Sequence, residues 1–164
     1  MKLLKKLPLL ALLAILTFSC STDSIDEKAD AIVENLVVPP TKQIEIEILE
    51  LINDHRLSIG LNPLADLKIV KSVAYSHTDY MVDKDEISHD NFYTRSNYLK
   101  ANAGAKKVSE NVAYGYSSAK TVVSAWIKSD GHRANIEGDF SNFNISAEKS
   151  ENGRWYFTNI FIKK

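Results

Sequence analysis

Four histidines are the side chains of this sequence best suited to proton transfer or ligation near neutral pH, and their surroundings separate them. His55 sits beside Arg56 at what looks like a helix boundary. His77 falls in the series Leu67, Val70, Ala74, His77, Met81, where it reads as a core or pocket histidine. His89, in Ile87-Ser88-His89-Asp90, and His132, in Ser129-Asp130-Gly131-His132-Arg133-Ala134-Asn135, occupy loop or turn contexts in which a polar ring has little structural purpose. These two are the stronger candidates. The chain has no His-Glu-x-x-His, no Gly-x-Ser-x-Gly, no glycine-rich phosphate loop and no EF-hand spacing. The local signatures of zincins, α/β-hydrolases, nucleotide enzymes and calcium switches are therefore missing.

The elements that must carry these residues follow from periodicity. Ile44-Glu45-Ile46-Glu47-Ile48 alternates like a strand, but Ile48, Leu51, Ile52, His55 and Ile59 recur at three and four. A helix over 42–59 is predicted, capped by Thr41 and ended by Gly60. A second helix carries the His77 stripe. From Val82 to Val108 the pattern weakens into a loop with a short helix near 96–103, and loops of that length in small domains are usually functional. A short strand follows over 108–116. Ser117 or Ser118 then caps a helix with Ala119, Val122, Val123, Trp126 and Ile127 on one buried face, ended by Gly131. Phe143, Ile145 and Ala147 alternate, Asn152-Gly153 is a two-residue hairpin turn, and 155–162 alternates with aromatics on one side. Helices first and an antiparallel hairpin last make an α+β pattern.

Composition bounds the function. The 164 residues suffice for one core, and 20 basic against 21 acidic residues leave no positive field for a nucleic acid. Met1-Lys2-Leu3-Leu4-Lys5-Lys6 and the apolar run from Leu7 to Phe18 read as an export signal over 1–19, too short for a membrane span. Leu16-Thr17-Phe18-Ser19-Cys20 resembles a lipobox, with the single cysteine, Cys20, as first mature residue and lipid carrier. Ordinary signal cleavage leaving a free thiol is the alternative. Loss of three lysines with the signal makes the mature chain acidic. Residues 20–42, rich in Asp and Glu and closed by Pro39-Pro40, read as a flexible tether to a folded domain over 43–164.

One resemblance ties these pieces together. Ile52-Asn53-x-His55-Arg56, Leu61-x-Pro63-Leu64, Ala74-x2-His77-x3-Met81, Ser88-His89, Ser109-Glu110-Asn111-Val112-Ala113 and Ala125-Trp126-x2-Ser129-x-Gly131-His132-Arg133-Ala134-Asn135-Ile136 follow one another in this order. The series resembles the bacterial branch of the CAP superfamily, which takes in cysteine-rich secretory proteins, antigen 5 and plant pathogenesis-related proteins. The resemblance spans about 44–162 and implies a three-layer α-β-α sandwich with a central antiparallel sheet.

The resemblance further implies a cleft formed by His89, Glu110, Ser129 and His132. Ser129 stands where many eukaryotic members carry a second acid, and Ser109 replaces the usual glycine before Glu110. Two imidazoles and a carboxylate, with water as fourth ligand, make a sensible open site for zinc or another divalent metal, so His89, Glu110 and His132 are the expected ligands. His77 and Asn111 are expected to support them. A hydrogen-bonded structural cluster of the same residues is the alternative. Three functions follow: a monomeric, lipid-anchored extracytoplasmic binding module for a metal and a small apolar or carbohydrate ligand; a hydrolase using Ser129, His132 and Glu110; or a surface interaction protein with a vestigial cleft. The anchor is directly testable. Cys20→Ala is expected to release the protein from the membrane fraction, and retention of the variant in membranes would contradict lipidation.

Overall fold

Between Tyr156 and Ile162 one strand is buried on both faces, which obliges the chain to supply a helical layer on each side of its sheet. The computed structural model describes residues 36–164; the export signal, Cys20 and the tether up to residue 35 lie outside the described residues. The sheet contains β1 (Ala65–Asp66), β2 (Lys107–Tyr114), β3 (Asn142–Lys149) and β4 (Trp155–Lys163) in the order β1-β3-β4-β2. The three long strands are antiparallel, and the two residues of β1 add a short parallel pairing to β3.

Alternation along β4 assigns its side chains to the two layers. Phe157 and Phe161, with Phe143 and Ile145 of β3, meet Ile48 and Ile52 of α1 (Gln43–Ser58) and Val122 and Trp126 of α4 (Ala119–Lys128). Ile160 and Ile162 face the opposite way, onto Val70, Val73 and Ala74 of α2 (Lys68–Lys84) and Leu99 of α3 (Phe92–Ala103). Trp126 is 1% exposed, and its indole Nε1 donates to the Val112 carbonyl at 3.2 Å. Among the described residues no helix is long and apolar enough to cross a membrane.

Several local expectations change at the level of single residues. Thr41 does not cap α1; Glu45 reaches back to accept from the Lys42 amide at 2.7 Å. The Leu36 side chain is half-buried against the core cluster that includes Val70, Leu99 and Ile160, so the expected tether touches the domain at Leu36. The Trp126 helix ends at Ser129, whose extended backbone (ψ 119°) breaks it, and the chain restarts as α5 (Asp130–Ile136) with Gly131 inside it. The β3–β4 connection is a three-residue loop, not two. Ser150 and Arg154 close it, and Gly153 adopts a positive φ of 74° that suits a residue without a side chain.

The β3 edge is sealed from both helical layers at once. Lys71 of α2 and Glu45 of α1 form an ion pair at 2.5 Å, with side chains 3% and 0% exposed. The ammonium donates to the Ile145 carbonyl at 2.8 Å, and the carboxylate accepts from the Ala147 amide at 2.8 Å. The pair thus satisfies backbone groups that an edge strand would otherwise offer to another chain. Removing one partner leaves the other charge buried and unpaired. Glu45→Ala is therefore expected to cost about 3–5 kcal/mol in denaturant unfolding; a loss below about 1 kcal/mol would show that the pair is not needed.

Candidate functional site

Arg95, Leu99 and Ala103 lie four residues apart on the inner stripe of α3, so the helix that buries two apolar side chains also carries a guanidinium into the protein. That cation meets Glu110, which alternation on β2 turns toward the α2–α3 layer. Arg95 Nε donates to Glu110 Oε2 at 2.9 Å and Nη2 to Oε1 at 2.7 Å, a two-pronged grip with both side chains 3% or less exposed. Its third nitrogen, Nη1, donates to the Asp90 carbonyl at 2.5 Å and so fixes the loop after α2.

That loop presents His89, whose Nδ1 lies 2.8 Å from Glu110 Oε1. Burial pushes the Glu110 carboxyl up, but His89 and Arg95 outweigh it and hold the group below the usual carboxylate range. An ionised carboxylate only accepts, so His89 Nδ1 carries the proton and Nε2 remains an acceptor when the ring is neutral. The His89 side chain is 53% exposed. Beneath it, His77 is buried, donates from Nε2 to the Ser88 carbonyl at 2.8 Å and stands 3.9 Å from Glu110. Burial, and then the Arg95 charge, lower its pKa to about 4, so it is neutral at physiological pH.

The next residue on β2 points the other way. Asn111 Nδ2 donates to the His132 carbonyl at 3.0 Å, and Asn135 Nδ2 donates to Asn111 Oδ1 at 2.8 Å. Strand β2 therefore grips the His89 loop through Glu110 and, through Asn111, the helix α5 in which His132 lies, where the sequence suggested a loop or turn. Between them lies a cleft of about 290 Å³. Its floor is Val112, Ala113 and Tyr114 of β2, one wall includes Ile87, and the other includes Ala125, Trp126, Ser129 and His132. Tyr114, Ile87 and Tyr116 are all partly exposed around it. His132 is half-buried, and burial, followed by repulsion from His89, lowers its pKa.

The residues singled out from sequence are thus gathered at one strand, but not in the expected chemistry. Glu110 is engaged by a guanidinium at both oxygens and by His89 at one, partners with which a metal ion would have to compete. Among the described residues no group of three or more His, Cys, Asp or Glu side chains is placed to hold a metal ion. The donor set His89, Glu110, His132 does not fit the expected centre. Nor is the Ser129–His132–Glu110 relay assembled: Glu110 orients His89 instead, and no hydrogen bond joins His132 to Ser129 or Glu110. Arg95 was absent from the sequence expectations, as were the cleft residues Ile87, Tyr114 and Tyr116. A cation on the apolar stripe of a helix was the available signal for Arg95.

Comparison with known proteins identifies the fold and the family. The family model described as CAP, Cysteine-rich secretory protein family, matches residues 49–161. An uncharacterised membrane protein of Bacillus subtilis, YlbC, is 27% identical over 124 residues, covering 73% of this chain and 34% of that protein. The chain spans about a third of the length of the curated relatives it matches. Among solved structures, an extracellular protein containing an SCP domain from Bacillus anthracis superposes with a TM-score of 0.65 at 23% identity, over 77% of this chain and 45% of that one. An outer surface protein from Borrelia burgdorferi gives 0.69 at 21% identity, over 77% and 96%. At these identities the likeness is one of fold.

The buried histidine makes the domain acid-sensitive in a defined window. His77 is neutral in the folded protein down to about pH 4, whereas in the unfolded chain it binds a proton near 6.5. Its contribution is therefore complete above pH 6.5 and is lost as pH falls toward 4, by about 3 kcal/mol in total. Denaturant unfolding followed across that range is expected to show this slope, and His77→Gln, which keeps a donor for Ser88, is expected to flatten it. An unchanged slope in the variant would assign the acid sensitivity elsewhere.

Proposed function

The chain belongs to the CAP family of cysteine-rich secretory proteins, and from that membership we propose that it is a lipid-anchored, extracytoplasmic binding module whose cleft takes an organic ligand without a metal. The observation that carries this reading is the cleft itself: a floor and walls of mainly apolar side chains, partly exposed Tyr114 and Tyr116, and the polar side chains of Ser129 and His132 in one wall, with His89 on the neighbouring loop. Pre-formed apolar concavities with a few polar groups are where small-molecule and side-chain ligands bind.

The extracytoplasmic placement draws support from the export signal and lipobox read in the sequence, and from relatives described as a membrane protein, an extracellular protein and an outer surface protein. The hydrolase alternative has less support, because no serine, threonine or cysteine is hydrogen-bonded to the ring of His89 or His132 among the described residues. A surface protein with a vestigial cleft would leave the exposed aromatic residues around this concavity without a purpose.

Ala125 lines the cleft on α4 and gives a way to fill it. Anilinonaphthalene sulfonate, an apolar fluorescent probe, is expected to bind the wild-type domain saturably at one site. Ala125→Phe is expected to weaken that binding by about tenfold or more, equivalent to about 1.4 kcal/mol, while circular dichroism and the melting temperature stay close to wild type. Equal affinity in both proteins would place apolar binding outside the cleft.

A further inference from the structure

β2 is the last strand of the sheet, and its outer edge is the floor of the cleft. The Gly115 amide donates inward to the Trp155 carbonyl, so in the continuing ladder Ala113 and Asn111 pair with β4 while Glu110, Val112 and Tyr114 turn their backbone groups outward. Two of those outward groups are already used: the Glu110 carbonyl accepts from Asn135 and the Val112 carbonyl from the Trp126 indole. By that alternation the amides of Val112 and Tyr114 and the Tyr114 carbonyl face away from β4, and no side-chain or loop group among the described residues pairs with them. Val112 lines the cleft and is only 6% exposed, and an unpaired backbone donor at so buried a residue is costly.

We propose that the ligand is an extended peptide that adds a strand to β2 at Val112–Tyr114 and places an apolar side chain against Ala125 and Trp126. This rests on the binding-module reading of the same cleft. Two amides two residues apart on a strand edge stand about 6.7 Å from each other, which is the spacing of alternate carbonyls along another extended chain. An acyl chain offers no acceptor to either. The β3 edge, by contrast, is closed at Ile145 and Ala147 by Lys71 and Glu45. Among the described residues only the β2 edge combines free donors with an apolar cavity, the combination by which sheet edges recognise peptides: backbone pairing for affinity, a pocket for selectivity.

The same geometry dictates an asymmetry. In an antiparallel addition the peptide residue opposite Tyr114 can use both an amide and a carbonyl of the strand. The residue opposite Val112 can use only the amide, because Trp126 holds the carbonyl. Its own N–H meets a carbonyl already occupied by the indole, so proline or an N-methyl group there costs little.

A phage-displayed dodecapeptide library selected on the domain supplies the probe, and synthetic versions of the enriched peptides are then tested by calorimetry and amide hydrogen exchange. Binding is expected to slow exchange at Val112 and Tyr114. N-methylation opposite Tyr114 is expected to weaken binding about tenfold, the worth of one hydrogen bond, and N-methylation opposite Val112 to leave it within about twofold. Peptides that bind with both amides unprotected, or with no asymmetry between the two positions, would overturn the proposal. So would a free protein that dimerises through β2. If no peptide is enriched while Ala125→Phe still abolishes dye binding, the peptide assignment fails and the binding-module reading stands; if dye binding also ignores Ala125→Phe, both fail.

Discussion

The carboxylate of Glu110 is a charge inside the protein, and the arrangement around it is what makes that burial possible. Taken out of water alone, such a group would bind a proton or destabilise the fold by several kcal/mol. Here Arg95 grips both oxygens and His89 adds a third hydrogen bond. Meeting that demand brings α3 onto β2, stretches the Arg95 side chain to the Asp90 carbonyl and fixes the loop that forms one side of the cleft. His77 lies under the same loop, held to Ser88, and stays neutral because it is buried and, secondarily, because a second cation beside Arg95 would be repelled. The positions of His77, His89 and the α2–α3 loop are thus consequences of one buried charge.

The sheet treats its two edges differently. At β3 a buried Lys71–Glu45 pair closes backbone groups from both layers. At β2 the closure is partial: Trp126 and Asn135 take two carbonyls, and the stretch from Val112 to Tyr114 is left as the floor of an apolar concavity. Exposed edges are a hazard that folded proteins usually cover. An edge left open beside Tyr114 and Tyr116, at the place where the strand also anchors the His89 loop and α5, is more simply explained by use than by neglect.

Much of this was legible in the sequence. The stripe Leu67, Val70, Ala74, His77, Met81 defined α2, and alternation through Phe143, Ile145 and Ala147 defined the inner face of β3. The strand-like alternation of Ile44, Ile46 and Ile48 misleads only when read alone, since Ile48 and Ile52 are the buried pair and Ile46 is exposed. What escaped were features set by tertiary contact. Ser129 breaks its helix through backbone geometry that no composition rule anticipates. Glu110 looked like a free acid because its cation stands 15 residues away on another element. The open edge of β2 depends on strand order, which one sequence does not state.

The role of Glu110 is most directly measured by carbon-detected NMR of its side-chain carboxyl, titrated with pH in the absence and presence of zinc chloride. A midpoint below the ordinary carboxylate range, with a resonance that zinc leaves in place, is the result expected of a carboxylate committed to Arg95 and His89. A midpoint at or above that range, or a carboxyl shift produced by zinc, would contradict it and return Glu110 to the set of metal ligands.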